Sequence, residues 1–244
     1  MLRILLIAIL LPLVATSQET KYIENKNAMD GYIERFYALK ADTNVKHGKY
    51  KMLNFFGMEP IKTGYYKKGK MDSTWKEYTI FGDIHLQAEG NYKNDKKTGL
   101  WTFYSKRSEV EQKYDFTKKK LVYARPDGLK YRIINGKDTT KPITPDRQPV
   151  FIGGTMAFKS YIFTHLSYPA DALKKGIHGM VEVAFVVDKN GHIGKVWINK
   201  GVEKSLNDVS INVIKQMPDT WLPAQWKGKP VSAIYMHEIP FILQ

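Results

Sequence analysis

The side chains that most often do chemistry are few and scattered in this sequence. Its six histidines are His47, His85, His165, His178, His192 and His237, and the nearest two, His165 and His178, stand 13 residues apart. None has the short spacing of a metal-ligand pair. There is no cysteine, which removes thiolate zinc sites, cysteine nucleophiles, disulfides and cysteine-linked lipid anchors together. Asp188-Lys189-Asn190-Gly191 begins like a calcium loop but lacks the later ligands and the closing glutamate, and a turn explains it. No G-x-S-x-G elbow and no G-x-x-x-x-G-K-[ST] phosphate loop occurs. Gly228-Lys229-Pro230 reads as a turn ahead of a strand. The sequence therefore predicts no enzyme, no metal and no cofactor. The apolar run Val231 to Leu243 reads as a final strand. Pro240, late in that run, points to an edge or a strand end.

Around that run the sequence predicts a small α+β unit. Val181 to Val187 and Ile193 to Ile198 are β-branched runs joined through Asp188-Lys189-Asn190-Gly191, a hairpin signal. Ser205-x-x-Asp208 opens a helical pattern with Leu206, Val209, Val213 and Met217 on one face, and Pro218 stops it. Thr155 to Leu166 and Pro169 to Lys175 read as two further short helices, the second opened by its proline.

Residues 46–125 repeat a different theme. Gly64-Tyr65-Tyr66-Lys67-Lys68-Gly69 leads to Trp75-Lys76-Glu77-Tyr78, and Gly90-Asn91-Tyr92-Lys93-Asn94 leads to Trp101-Thr102-Phe103-Tyr104. A weaker copy precedes them at Gly48-Lys49-Tyr50, and a partial one trails at Tyr114-Asp115-Phe116 with Lys118, Lys119 and Lys120. Aromatic runs separated by Gly, Asn, Asp and Lys predict strand–turn–strand units that must stack on their neighbours. Trp101 and Phe103 should share a strand face. Either the aromatics are core and the lysines a solvated face, or the repeats present a basic, aromatic platform.

The whole chain of 244 residues is 43% hydrophobic and 25% charged, with a formal charge of +14. That composition is globular. Residues 18–148 carry +10 of the charge and residues 149–244 only +3, an asymmetry that suggests a boundary or an anionic partner. No apolar run reaches the roughly 18–20 residues that cross a bilayer. Met1-Leu2-Arg3, an apolar stretch to Val14 and Ala15-Thr16-Ser17 form a secretory pattern. We expect residues 1–17 to be a signal peptide cleaved before Gln18, with the remainder exported to the periplasm or cell envelope. Pro126, Pro142, Pro145 and Pro149 punctuate a polar linker over 126–149, which fully extended would reach about 80 Å. The expected organisation is two domains: all-β hairpin repeats over 18–125 and an α+β domain over 150–244. Export and the spread of charge along turns argue against nucleic acid as a partner.

Two resemblances follow from these residues. The G-x-Y-x-x-G and G-x-W-x-x-Y repeats resemble bacterial MORN-type repeats of the YwqK kind, with Ser73 where the pattern expects glycine. Phe151-Ile152-Gly153-Gly154, Tyr168-Pro169-x-x-Ala172, Gly176-Ile177-x-Gly179, the Val181 to Gly191 run, Pro223-Ala224, Gly228-Lys229-Pro230-Val231 and Ile239-Pro240-Phe241 resemble the TonB C-terminal domain. That resemblance implies two or three helices on a three-stranded antiparallel sheet. It also implies capture of a short periplasmic segment of a TonB-dependent outer-membrane receptor, the TonB box, by pairing with the last strand. The residues it assigns to that role are Val231, Ala233, Ile234, Tyr235 and Met236, with Tyr168 and Pro169 equally explicable as packing. An alternative is a membrane-tethered energy transducer of this family. Another is an envelope module that holds an anionic glycan or lipid on the basic repeats.

Overall fold

Alternating aromatic and polar residues, cut by tight turns, make the first half of the chain a meander. The computed structural model describes residues 18–243 except 28, 30, 57, 80–83, 136 and 137, so the expected signal peptide lies outside the described residues. Strands β1 (Thr20–Asn27), β2 (Tyr32–Leu39), β3 (Lys46–Asn54), β4 (Pro60–Lys67), β5 (Lys70–Tyr78), β6 (Leu86–Lys93), β7 (Lys96–Tyr104), β8 (Val110–Asp115) and β9 (Lys120–Ala124) pair in sequence order in one nine-stranded antiparallel sheet. Two of the turns, Lys68-Gly69 and Asn94-Asp95, have φ of 51°, 78°, 49° and 66°. Positive φ at both central residues gives the turn twist that matches twisted strands.

One face of this sheet is an aromatic core of Phe36, Tyr50, Trp75, Tyr92, Trp101, Phe103 and Tyr114. Trp101 and Phe103 stack at 6.2 Å on the same face, as expected from alternation. The repeated glycines are seats for the tryptophans. A Cβ on Gly64 would stand 2.1 Å from the Trp75 ring, and one on Gly90 would stand 2.4 Å from Trp101. The position where the repeat departs from glycine, Ser73, has φ of 61°, as does Gly99 at the matching place before Trp101.

Several repeat lysines serve this core. Lys97 Nζ lies 3.9 Å from the Trp101 ring centroid and 3.5 Å from Glu77. Lys46 lies 4.8 Å from the Phe36 and Tyr50 rings and 2.8 Å from Glu34. Burial pushes the Lys97 ammonium below its usual range, while Glu77 draws it back. Lys118, Lys119 and Lys120, by contrast, are exposed, the first two in the turn before β9 and the third at its start.

The remaining elements are β10 (Arg132–Asn135), β11 (Asp138–Thr139), β12 (Val150–Phe151), α1 (Gly154–His165), α2 (Ala170–Lys174), β13 (Gly179–Val187), β14 (Ile193–Lys200), α3 (Lys204–Lys215), β15 (Trp221–Leu222), β16 (Ala224–Trp226) and β17 (Lys229–Phe241). The long strands β14, β13 and β17 form the expected three-stranded core, with helices packed on it through Phe158, Ile162, Leu206, Val213 and Ile214. The sheet is larger than expected, however, because β10, β11 and β16 extend it to six strands. Apolar burial drives the addition: Tyr131 and Ile133 are 4% and 1% exposed, and they cluster with Ala224 and Ala233. The proline-punctuated stretch 126–149 thus contains two strands of the C-terminal sheet rather than a free connector.

Helix α3 begins one residue before Ser205, and its cap is Glu203, whose carboxylate accepts the Ser205 N–H at 2.8 Å. Among the described residues no helix is long and apolar enough to cross a membrane.

The two sheets meet through buried polar contacts. Gln112 of β8, 1% exposed, donates from Nε2 to the Phe151 carbonyl at 2.9 Å and accepts the Gly153 N–H at 2.8 Å. Helix α1 has no side-chain cap of its own, and Glu111 Oε1 accepts the Thr155 N–H at 2.8 Å in its place. Ile152 and Leu222 pack into the aromatic cluster of the first sheet. A helix start whose free N–H groups are satisfied from another sheet is fixed in orientation by that sheet.

Candidate functional site

The site is built on β17, the longest strand. Its odd-numbered residues supply the core: Ala233, Ile239 and Phe241 are buried, and Tyr235 rests against Trp221 at 4.9 Å and Phe185 at 5.4 Å. Its even-numbered residues face outward, with Met236 50% exposed. β13 pairs along one side of it, from Val187↔Ala233 to Gly179↔Phe241.

The other side is divided. Ile133 exchanges backbone groups with Thr140, its carbonyl accepting the Thr140 N–H at 2.9 Å and its own N–H donating to Thr140 Oγ1 at 3.0 Å. By alternation, Arg132 and Ile134 direct their groups to β17, opposite Ile234 and Ser232. Met236, Glu238 and Pro240 must then present their ladder groups on that same outer side. Pro240 fits there, because its missing N–H costs β13 nothing. Among the described residues no strand pairs with this outer side of Met236 to Pro240.

The residues assigned from sequence therefore separate. Val231 pairs with Ala224 of β16, and Ala233 and Ile234 lie opposite Ile133 and Arg132 of β10. Tyr235 is half-buried, and Met236 stands at the start of the open stretch. Tyr168 is elsewhere: its ring meets Phe241 edge-on at 5.4 Å and its hydroxyl donates to the Ile177 carbonyl at 2.5 Å. Tyr168 thus packs behind the strand, and Pro169 stands at the start of α2. Sequence reasoning passed over Glu238 as an edge residue and missed β10. A signal was present, since Tyr131-Arg132-Ile133-Ile134 followed by Asn135-Gly136 is an apolar, β-branched run ending in a turn dipeptide.

The electrostatics are those of a shielded surface. Burial, with the Lys159 charge adding to it, pulls His237 down to about 4, so this imidazole packs neutral against Phe158 at 4.7 Å. Burial first, then the Asp127 and Glu111 carboxylates, push the Tyr235 hydroxyl up to about 12. Beside Tyr235 a cleft of about 300 Å³ opens between the two sheets, lined among others by Glu111, Arg125, Asp127, Lys159 and Trp221.

Residues 164–243 match the family model described as the Gram-negative bacterial TonB protein C-terminal. The match takes in α2, β13, β14, α3 and β17, and the nine-stranded sheet lies outside it. No curated protein and no solved structure matches the chain.

Proposed function

We propose that this chain is a TonB-type protein of the Gram-negative envelope that captures a short extended segment of a TonB-dependent outer-membrane receptor, in support of transmembrane transport, and that it is not an enzyme. The observation that carries the reading is the open outer side of β17, within the region similar to the TonB C-terminal domain. Strand addition needs such a row of unpaired backbone groups and little else.

The magnitudes fit a transient partner. Met236 and Glu238 each offer an N–H and a carbonyl, and Pro240 offers a carbonyl. Five such bonds at about 0.5–1.5 kcal/mol each give roughly 2.5–7.5 kcal/mol. Association costs of about 4–15 kcal/mol offset most or all of that, so backbone pairing alone binds no tighter than about millimolar. Contacts beside the strand must supply the rest. The glycan- or lipid-holding alternative has less support, because Lys46 and Lys97 already engage rings and carboxylates of the core.

The test is Met236→Pro. It deletes one outer N–H without touching β13 pairing or β10. Binding of a synthetic TonB-box peptide, followed by fluorescence anisotropy, should weaken about tenfold, the equivalent of one bond of about 1.4 kcal/mol. Unchanged affinity in a folded variant would show that the peptide docks elsewhere.

A further inference from the structure

The inner half of the outer edge is not free, and its occupant carries information about the partner. β10 lies on the same side of β17 as the open stretch and in line with it. A segment laid along Pro240 to Met236 therefore runs into β10 at Ile234. β10 is short: three register positions tie it to β17, against nine for β13. Among its described side chains the deepest is Ile133, opposite Ala233 and beside Ala224 and Trp226. Two alanines leave a shallow slot that a β-branched residue fills. Arg132 is exposed.

The segment that carries β10 is also held at both ends. Arg125 N–H donates to the Glu111 carbonyl of β8 at 2.8 Å, and Arg147 exchanges backbone bonds with Gln225. Lifting residues 131–135 off the edge therefore leaves both of these anchors in place, and it uncovers Tyr131 as well as Ile133.

We propose that β10 is a built-in stand-in for the partner strand, and that the partner takes the full edge of β17 by displacing it. This rests on the strand-capture reading above. The geometry specifies the partner's chemistry: an extended segment that sets a β-branched apolar side chain against Ala233, flanked by residues that tolerate solvent. It also makes capture a competition, so that affinity is set by the balance between two strands for one edge.

The test uses the full chain with Ile133→Cys and Ala233→Cys together. Ile133 bonds toward β11 and Ala233 toward β13, so the pair is a non-hydrogen-bonded one with Cα atoms about 4.5 Å apart, within disulfide reach. The chain has no other cysteine, so oxidation locks β10 in place and reduction frees it. The probes are a labelled peptide copying residues 130–135 and a synthetic TonB-box peptide. Both should bind the oxidised form at least tenfold more weakly than the reduced form. In the unmodified chain, hydrogen exchange at residues 131–135 should quicken when the TonB-box peptide is added, a measurement that stands if the double variant does not fold. Equal binding of the TonB-box peptide by both redox forms overturns displacement and leaves capture along Met236 to Pro240 intact. If only the β10 copy binds, and only to the reduced form, displacement stands and the receptor reading falls. If neither peptide binds the reduced form and exchange is unaltered, β10 is a permanent strand and the proposal is overturned.

Discussion

Replacing Gln112 by leucine should uncouple the two halves of this protein. The side chain is 1% exposed and holds the Phe151 carbonyl at 2.9 Å and the Gly153 N–H at 2.8 Å. Leucine preserves the volume and removes both bonds. Two backbone groups are then left unpaired in the interface, each at a cost of about 1–3 kcal/mol, so the total is roughly 2–6 kcal/mol. For a chain of this length each kcal/mol lowers Tm by about 2–4 °C, which gives a fall of roughly 4–24 °C. Calorimetry and intrinsic fluorescence read the result together. Trp75 and Trp101 belong to the nine-stranded sheet, while Trp197 and Trp221 belong to the C-terminal unit, so the transitions can be assigned by single Trp→Phe backgrounds. The expected outcome is one transition in the parent and two in the variant, with the C-terminal unit melting separately. A variant that melts in a single step within about 2 °C of the parent would show that Gln112 does not join the halves, because that shift corresponds to less than one bond.

Ser73 occupies the left-handed region at a place where the next repeat has glycine, so Ser73→Gly should stabilise the sheet by about 0.5–1 kcal/mol in urea unfolding. Gly90→Ala should do the reverse, since a methyl 2.4 Å from the Trp101 ring forces overpacking worth about 1–3 kcal/mol; a neutral result would mean the tryptophan is not seated on the glycine. His237 is held at about 4 in the fold against about 6.5 when unfolded. The unfolded chain therefore binds the extra proton between these values. Its contribution is complete above pH 6.5 and falls away toward pH 4, by about 3 kcal/mol at most. His237→Phe should flatten the stability–pH curve across that window, as followed by denaturant midpoints.

How much of this was legible in the chain depended on sequence distance. The repeat was readable because its turns are local, Lys68-Gly69 and Asn94-Asp95 each closing a hairpin between adjacent strands. The C-terminal unit was readable because the apolar runs of β13 and β17 are long and the helix stops are marked by proline. β10 was not, because a short strand declares itself only through its partner, and Ile234 lies about a hundred positions beyond Arg132. Ser205 looks like the cap of α3 in isolation, whereas the carboxylate of Glu203, two residues earlier, accepts the Ser205 N–H. Gln112 left one trace: a polar residue at an inward position of β8, in step with Tyr114. Alternation flags such a residue as buried, but only the fold shows which backbone needs it.

The sequential meander has a consequence for length. Each strand of the first sheet pairs only with its neighbours in the chain, so whole hairpins can be inserted or removed without rewiring the rest. Neighbouring strands lie about 4.8 Å apart, and each hairpin adds roughly 10 Å along the sheet. From β1 to β9 the sheet measures about 38 Å by that spacing. Because its far end is locked to α1 through Glu111 and Gln112, this half of the protein is a ruler graduated in hairpins. The β1 edge of the sheet is thereby held at a distance from the C-terminal unit that is written in the number of repeats.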